Sequence, residues 1–253
     1  MTETSRLGGR TAIVTGAASG IGRATALRLA ADGAHVGCLD LADGVDATVE
    51  EIVAAGGAAV AVRTNVGDPD SVGAAVATVE DAFGPVRILA NVAGVLRFAH
   101  THESDPADFD LQIAVNLKGP YLTARAVIPS MLEHGGGAIV NVASSAGVFG
   151  QAYLAGYAAS KGGVSMLSRA LAWEYSKAGI RVNAIAPGGV ETPMTGHVEF
   201  PEGMDFDLIR KSTAHGFEMI KPEEPAALIA FLVSDEARAI TGTVIPIDLG
   251  ITT

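Results

Sequence analysis

The sequence is poor in cysteine, in basic side chains and in long hydrophobic runs, and each shortage excludes a class of protein. The one cysteine, Cys38, cannot form an internal disulfide and provides no cysteine-based zinc site. The 17 Lys and Arg residues are outnumbered by 28 Asp and Glu residues, which gives a net charge of −11, and no basic block is present. A nucleic-acid partner is therefore not expected.

Signals for membranes, secretion and metals are also missing. Gly and charged residues interrupt every apolar stretch well before the ~20 residues that are needed to span a bilayer. The segment 1–9 is polar and lacks the apolar region of a secretory signal. His100 and His102 have ligand-like spacing, but no further cluster accompanies them. We therefore expect a cytoplasmic protein with no membrane association and no metal ion.

What the sequence does contain is a regular alternation of short apolar runs with longer segments of helical pattern. Hydrophobic residues make up 49% of the 253 residues, which is enough for a large core. The apolar runs predict strands over 11–15, 34–40, 58–63, 87–91, 138–142, 181–185 and 244–248. The intervening segments predict helices over 21–32, 45–55, 68–83, 106–133, 157–177 and 222–234. This alternation is typical of a doubly wound parallel sheet with helices on both faces, here of about seven strands in a single α/β domain over 1–253.

One segment, near 192–221, interrupts the alternation. It carries scattered Pro, Gly and charges together with six Met and Phe side chains: Met194, Phe200, Met204, Phe206, Phe217 and Met219. A long irregular segment in an otherwise regular α/β chain is typical of a functional lid, so we expect it to cover a substrate. A surface excursion packed on its own side chains is the alternative.

A glycine-rich turn follows the first predicted strand. Gly16, Gly20 and Gly22 stand in the segment 15–22, directly before an Ala-rich helix. Glycines permit a tight turn and a close backbone approach to a pyrophosphate, and the helix N-terminus offers free N–H groups to phosphate oxygens. The turn therefore predicts a dinucleotide site.

Asp40, at the end of the second predicted strand, indicates which dinucleotide binds. A carboxylate there accepts hydrogen bonds from the hydroxyls of the adenosine ribose and repels a 2′-phosphate. No Lys or Arg stands beside Asp40 in the sequence or inside the turn, and Arg23 belongs to the helix. This pattern favours NAD(H) over NADP(H).

A tyrosine and a lysine lie four residues apart at the start of a predicted helix. Tyr157 and Lys161 would therefore share one helix face. The unperturbed pKa of tyrosine is about 10, and a neighbouring cation lowers it, so that the phenol could exchange a proton with an alcohol or carbonyl oxygen. Ser144 and Ser145 end the predicted strand before this helix, at the sheet edge where ligands bind in such folds.

With these motifs in order from Gly8 to Gly250, the chain resembles the classical short-chain dehydrogenase/reductase family and its Rossmann fold. The resemblance implies Tyr157 as general acid/base, Lys161 as ligand of the nicotinamide ribose, Ser144 (Ser145 being the alternative) as partner of the substrate oxygen, and Asn116 as holder of a water for proton relay. The catalytic residues are then Asn116, Ser144, Tyr157 and Lys161. The expected cofactor ligands are Gly16, Ser19, Gly20, Ile21, Gly22, Asp40, Leu41, Asn65, Val66, Asn91, Ala93, Gly94, Tyr157, Lys161, Pro187, Gly188, Val190 and Thr192.

The resemblance implies an NAD(H)-dependent enzyme that interconverts a secondary alcohol and a ketone. Apolar residues in the expected pocket favour a partly apolar small molecule, with Gln151 and Tyr153 joining Ser144 and Tyr157 as substrate ligands. A 3-oxoacyl-thioester reductase of the same family and a non-catalytic dinucleotide-binding sensor or scaffold remain alternatives. The family also assembles as dimers or tetramers, so a homo-oligomer, most simply a homotetramer, is expected. Leu249, where the family has Gly, stands in a region that the family packs at a subunit interface.

Overall fold

Seven parallel strands form one sheet in the computed structural model, which describes residues 6–196, 198–210 and 219–252. Their order is β3-β2-β1-β4-β5-β6-β7. The strands are β1 (Thr11–Thr15), β2 (His35–Asp40), β3 (Ala58–Arg63), β4 (Val86–Asn91), β5 (Gly137–Val142), β6 (Ile180–Pro187) and β7 (Val244–Ile247). Each coincides with a predicted strand to within two residues at either end, because continuous apolar runs are what a sheet covered on both faces requires.

The longer helices also follow the sequence pattern, with one exception, whereas the three helices of four or five residues were not predicted. They are α1 (Gly20–Ala31), α2 (Gly44–Ala54), α3 (Pro69–Phe83), α4 (Pro106–Ile113), α5 (Gly119–Glu133), α6 (Ala146–Phe149), α7 (Ala155–Glu174), α8 (Pro193–Gly196), α9 (Phe206–Arg210) and α10 (Glu223–Val233). The start of α3 is set locally, since the Asp68 side chain accepts the Asp70 amide at 3.0 Å and Pro69 occupies the first turn. None of the described helices is long and apolar enough to cross a membrane.

The exception is the segment 106–133, for which the sequence predicts one continuous helix. A π-helical turn over Ala114–Lys118 separates α4 from α5. The wider turn rotates Asn116 inward, where its amide bonds both backbone groups of Val95. Apolar periodicity cannot reveal such a turn, because the contact that favours it comes from a distant loop.

Two hydrophobic layers hold the helices on the sheet. On one face Val14, Ala90 and Val140 pack with α1, α2 and α10, and on the other Ile13, Leu89 and Ile139 pack with α3, α5 and α7. Successive strand residues thus contribute to opposite layers, as expected for a doubly wound fold.

The strand order reverses between β1 and β4, and this reversal fixes where a ligand can bind. Connections after β1 and β4 leave in opposite directions, so a crevice opens beyond the carboxyl ends of these strands. The predicted lid adjoins it and begins with α8. Phe217 and the rest of 211–218 lie outside the described residues.

Candidate active site

The glycine-rich turn after β1 is packed so closely that side chains are excluded. A Cβ on Gly22 would lie 1.9 Å from the Gly16 carbonyl oxygen, and a Cβ on Gly16, whose φ is +72°, would lie 2.9 Å from the Ala93 Cα. A Cβ on Gly20, with φ +50°, would meet Thr192 at 2.8 Å. The turn brings the N-terminus of α1, where Ser19 makes no side-chain cap, to the wall of the main cavity. This arrangement can receive a pyrophosphate on backbone N–H groups.

Thr15 connects this turn with the loop after β4, a role that sequence reasoning missed. Its hydroxyl accepts the amides of Val92 and Ala93 at 3.0 and 3.1 Å. The sequence signal for this role was the Thr15-Gly16 pair that opens the turn. It holds the loop that contributes Ala93 and Gly94 to the cavity wall.

Asp40 lies at the cavity wall at the end of β2, as the sequence predicts. One carboxylate oxygen accepts the Ala18 amide and the other the Ala42 amide, both at 2.9 Å. Each oxygen retains a lone pair for a further donor. The sequence did not reveal that Arg63 stands opposite Asp40 in the strand register, but the guanidinium is paired with Asp43 and Asp46.

Tyr157, Lys161 and Ser144 meet where β5 ends against the first turns of α7. Lys161 is almost fully buried, and its ammonium donates to the Val142 carbonyl at 2.7 Å and lies 5.8 Å from the centre of the Tyr157 ring. Ser144 interacts with the Tyr157 phenol and lowers its pKa. That interaction distinguishes Ser144 from Ser145, although both line the cavity.

The predicted direction of the Tyr157 pKa is wrong for this chain. Burial raises the pKa of the phenol above its ordinary value, and the hydrogen bond from Ser144 lowers it by a smaller amount. The lysine does not reverse this, since its ammonium is engaged with Val142 and is itself buried. Burial lowers the pKa of Lys161 from 10.5 to about 8. Desolvation therefore outweighs the expected effect of a neighbouring cation.

Asn116 is brought close to these residues, but its side chain is already committed. It donates to the Val95 carbonyl at 2.9 Å and to the Ser160 hydroxyl at 3.1 Å, and it accepts the Val95 amide at 2.8 Å. Both amide protons are thus used. The side chain positions the Val95 loop against α7, and its Oδ1 keeps one lone pair to which a water could donate, so the water-holding role stays a prediction.

Two further predicted ligands also lie elsewhere than expected. The Asn91 side chain is buried in a network with Asn141 at 2.9 Å and Thr123 at 2.7 Å, and it does not reach the cavity wall. Tyr153, predicted to contact substrate, points its hydroxyl to the Asp205 amide of the lid at 2.9 Å. Both residues have long-range partners that their sequence neighbours do not indicate.

The remaining predicted residues line one cavity of about 630 Å³. They are Gly16, Ser19, Gly20, Ile21, Gly22, Asp40, Leu41, Asn65, Val66, Ala93, Gly94, Ser144, Gln151, Tyr157, Lys161, Pro187, Gly188, Val190 and Thr192. The cavity continues past Tyr157 to a mainly apolar end, walled by Val95, Leu96, Phe98, Leu154, Met194, Val198, Phe200, Ile209 and Met219.

The residues present fit a nicotinamide dinucleotide. A Cβ at Gly94 would lie 3.6 Å from the Lys161 ammonium and 3.3 Å from the Asn116 amide oxygen, so the absence of a side chain keeps this corner open. The ammonium has one described acceptor and two further N–H groups that can serve ribose hydroxyls. A doubly wound fold with a glycine cradle at one end of the crevice and a Tyr–Lys pair at the other defines a dinucleotide-dependent oxidoreductase.

Comparisons with known proteins agree with this class. A family model described as enoyl-(acyl carrier protein) reductase matches residues 16–252. The chain is 40% identical to the 3-oxoacyl-[acyl-carrier-protein] reductase of Thermotoga maritima, over 97% of this chain and 99% of that protein. It is 37% identical to the cyclohexanol dehydrogenase of an Acinetobacter species, over 96% and 95% of the two chains.

Solved structures give the same result. A protein from Burkholderia xenovorans described as a short-chain dehydrogenase/reductase superposes with a TM-score of 0.88, at 37% identity and 98% coverage of both chains. A protein from Beutenbergia cavernae, described as an NAD(P)-dependent gluconate 5-dehydrogenase with NADP bound at low occupancy, superposes with a TM-score of 0.86, at 36% identity and 96% coverage of both. The chain belongs to the short-chain dehydrogenase/reductase family. It is an oxidoreductase that acts on CH–OH groups with a nicotinamide cofactor.

Proposed function

We propose that this protein is an NAD(H)-dependent enzyme that interconverts a partly apolar secondary alcohol and its ketone, with Tyr157 as the acid/base. The observation that carries the proposal is the meeting of Ser144, Tyr157 and Lys161 at the junction between the glycine-lined and the apolar parts of one cavity. A pure dinucleotide sensor or scaffold would need no hydrogen-bonded phenol at that junction.

The chain's own groups divide the reaction between them. In the oxidation direction the Tyr157 phenolate, formed when the phenol has released its own proton to solvent at alkaline pH, takes the proton of the substrate hydroxyl, while Ser144 donates a hydrogen bond to the same oxygen and fixes its position. Lys161 binds the ribose hydroxyls through the N–H groups that Val142 leaves free. The chemistry that a bound nicotinamide would supply is acceptance of a hydride from the alcohol carbon, or its return to the ketone carbon.

The choice of NAD over NADP rests on the charge at the adenosine end. The Asp40 carboxylate would repel a 2′-phosphate, and the nearest strand cation, Arg63, is already paired with two aspartates. Leu41 is two-thirds exposed and offers an apolar surface to the adenine, and Asn65 and Val66 lie beside it in the cavity wall. The NADP reported with the Beutenbergia protein makes a direct comparison of the two cofactors necessary.

The lining of the far end of the cavity supports the substrate class. Met194, Phe200 and Met219 adapt to an irregular apolar shape, and Gln151 adds a polar group. The similarity to a cyclohexanol dehydrogenase makes a six-membered cyclic alcohol a suitable first probe. The similarity to a 3-oxoacyl-[acyl-carrier-protein] reductase keeps 3-oxoacyl thioesters as the second candidate.

A Tyr157→Phe variant tests the catalytic assignment. Removing one phenolic oxygen should abolish cyclohexanol oxidation and leave NADH affinity nearly unchanged, because the ring and Lys161 remain. Tyr121→Phe, at a half-exposed tyrosine of α5, is the matched control and should retain the activity of the parent. Appreciable turnover by Tyr157→Phe would exclude Tyr157 as the proton carrier.

A substrate and cofactor screen tests the remaining choices. We expect cyclic and aliphatic secondary alcohols with NAD⁺ to be oxidised faster than a 3-oxoacyl thioester is reduced with NADPH, as followed by the absorbance of the reduced nicotinamide. The reverse order would favour the thioester reductase.

The expected cytoplasmic location and homotetramer remain predictions, the second of which light scattering can test. At the C-terminus, Leu249 is half exposed and takes a left-handed φ of +54°. A side chain thus extends from a position where the family has glycine.

A further inference from the structure

Tyr153 connects the substrate lid with the body of the protein. Its hydroxyl accepts the Asp205 amide at 2.9 Å, and its own backbone carbonyl accepts the Ala99 amide at 3.0 Å. The residue takes φ +65°, a conformation that is uncommon outside glycine. The strained backbone aims the ring away from the main cavity and toward the segment 198–210, which we call the lid arm.

His100 provides a second connection to the same arm. Its Nε2 lies 3.0 Å from the Glu202 carbonyl, and its ring packs edge-on against the Tyr153 ring with the centres 5.1 Å apart. Tyr153 and His100 therefore support each other while each bonds a different backbone group of the arm. A third contact is aromatic, since Phe98 meets Phe200 with ring centres 5.3 Å apart.

The lid arm has little internal structure to hold it in place. Within it Met204 is the buried apolar residue, while Phe200 and Phe206 are half or more exposed. Its helix, α9, has five residues, too few to be stable without tertiary contacts. The position of the arm must depend on the contacts that attach it to the body.

The arm also forms part of the substrate end of the cavity. Val198, Phe200 and Ile209 line the same cavity as the catalytic residues, whereas Tyr153 and His100 do not line it. A change in the arm's position would therefore alter the substrate end and leave the glycine-lined end as it is.

We propose that Tyr153 and His100 are positioning residues that hold the lid arm closed over the substrate. This deepens the proposed function and rests on the assignment of the apolar end to the substrate. The two residues favour the closed arrangement through the Asp205 amide and the Glu202 carbonyl, and they act on specificity without touching the reacting atoms.

Hydrogen exchange of the whole protein tests the connection without any substrate. Tyr153→Phe keeps the ring and the backbone and removes only the acceptor of the Asp205 amide. Peptides that contain Asp205 should exchange roughly two- to tenfold faster, as expected for loss of one neutral hydrogen bond. Tyr121→Phe should leave them unchanged. Equal exchange in parent and Tyr153→Phe would overturn the proposal.

Steady-state kinetics then separate positioning from general stability. For cyclohexanol with NAD⁺ we expect Tyr153→Phe and His100→Phe each to raise KM roughly two- to tenfold, with kcat, the Kd of NADH and the melting temperature nearly unchanged. Because the rings support each other, the double variant should show less than the product of the two single effects. An unchanged KM, or an equal loss of NADH affinity, would overturn the assignment.

The two proposals fail differently. If Tyr157→Phe loses turnover while Tyr153→Phe shows the KM and the hydrogen exchange of the parent, the proposed function stands and the lid connection is refuted. Faster exchange around Asp205 together with an active Tyr157→Phe enzyme would do the opposite. If cyclohexanol is not oxidised, the exchange measurement still decides the positioning role.

Discussion

Lys161 should destabilise the folded protein at neutral pH, and replacing it should reveal by how much. Its ammonium is 3% exposed, and burial lowers its pKa from 10.5 to about 8. A shift of this size corresponds to about 3 kcal/mol at pH 7, since each unit is worth about 1.4 kcal/mol. Lys161→Met retains the chain length and removes the charge. The Val142 carbonyl then loses its donor, which costs about 1 kcal/mol.

The cofactor-free Lys161→Met protein should therefore be more stable than the parent by about 2 kcal/mol at pH 7. The direction of the Lys161 pKa shift determines whether the unfolding free energy of the parent rises or falls with pH. Between the folded pKa near 8 and the unfolded pKa near 10.5, the unfolded chain binds more protons, so the parent regains stability as the pH rises. From pH 7 to 9.5 the advantage of the variant should shrink by about 2 kcal/mol.

Urea unfolding of both proteins at pH 7, 8.5 and 9.5 measures this difference. Lys118→Met is the matched control, because Lys118 also donates to a backbone carbonyl, that of Gly67 at 3.0 Å, but is exposed. It should change the unfolding free energy by less than about 0.5 kcal/mol. A Lys161→Met protein that is less stable than the parent at pH 7, by an amount independent of pH, would refute the reasoning.

Three further predictions concern the site. Ser144→Ala should move the alkaline rise of the oxidation rate to higher pH, because it removes the bond that lowers the Tyr157 pKa; an unmoved profile would contradict the titration of this phenol. Asp40→Asn should reduce the preference for NADH over NADPH at least several-fold in fluorescence titrations, and an unaltered ratio would show that Asp40 does not select the cofactor. Ser160→Ala should lower the unfolding free energy by about 1–3 kcal/mol, because the buried Asn116 amide loses its acceptor. Ser165→Ala removes only a bond to the Lys161 carbonyl and should lower the unfolding free energy by less. Equal losses in the two variants would argue against the Asn116 contact.

Local patterns account for most of the fold that the sequence predicted. Continuous apolar runs gave the strands to within two residues, and Asp68 with Pro69 marked the start of α3, because sheet burial and helix capping depend on neighbours along the chain. The glycine turn was equally local. It follows a strand, precedes a helix, and excludes any side chain at Gly22.

The places where the structure departs from the sequence-based expectations have a common cause, which is a hydrogen-bond partner far away in the sequence. Asn116 sits on a π-helical turn because Val95 and Ser160 take up its amide. Asn91 is turned into the core by Asn141, and Tyr153 toward the lid by Asp205. No periodicity around any of these residues signals such contacts.

The amino-acid order alone determined the parallel α/β architecture, the location of the dinucleotide turn and the pairing of Tyr157 with Lys161, because these depend on spacing over a few residues. The tertiary structure decided how the paired groups behave. Packing buried Lys161 and lowered its pKa, left the pKa of the Tyr157 phenol raised, and gave Tyr153 a bond to the lid arm. Desolvation and long-range hydrogen bonding arise only when distant segments meet, and that is why spacing could not foretell them.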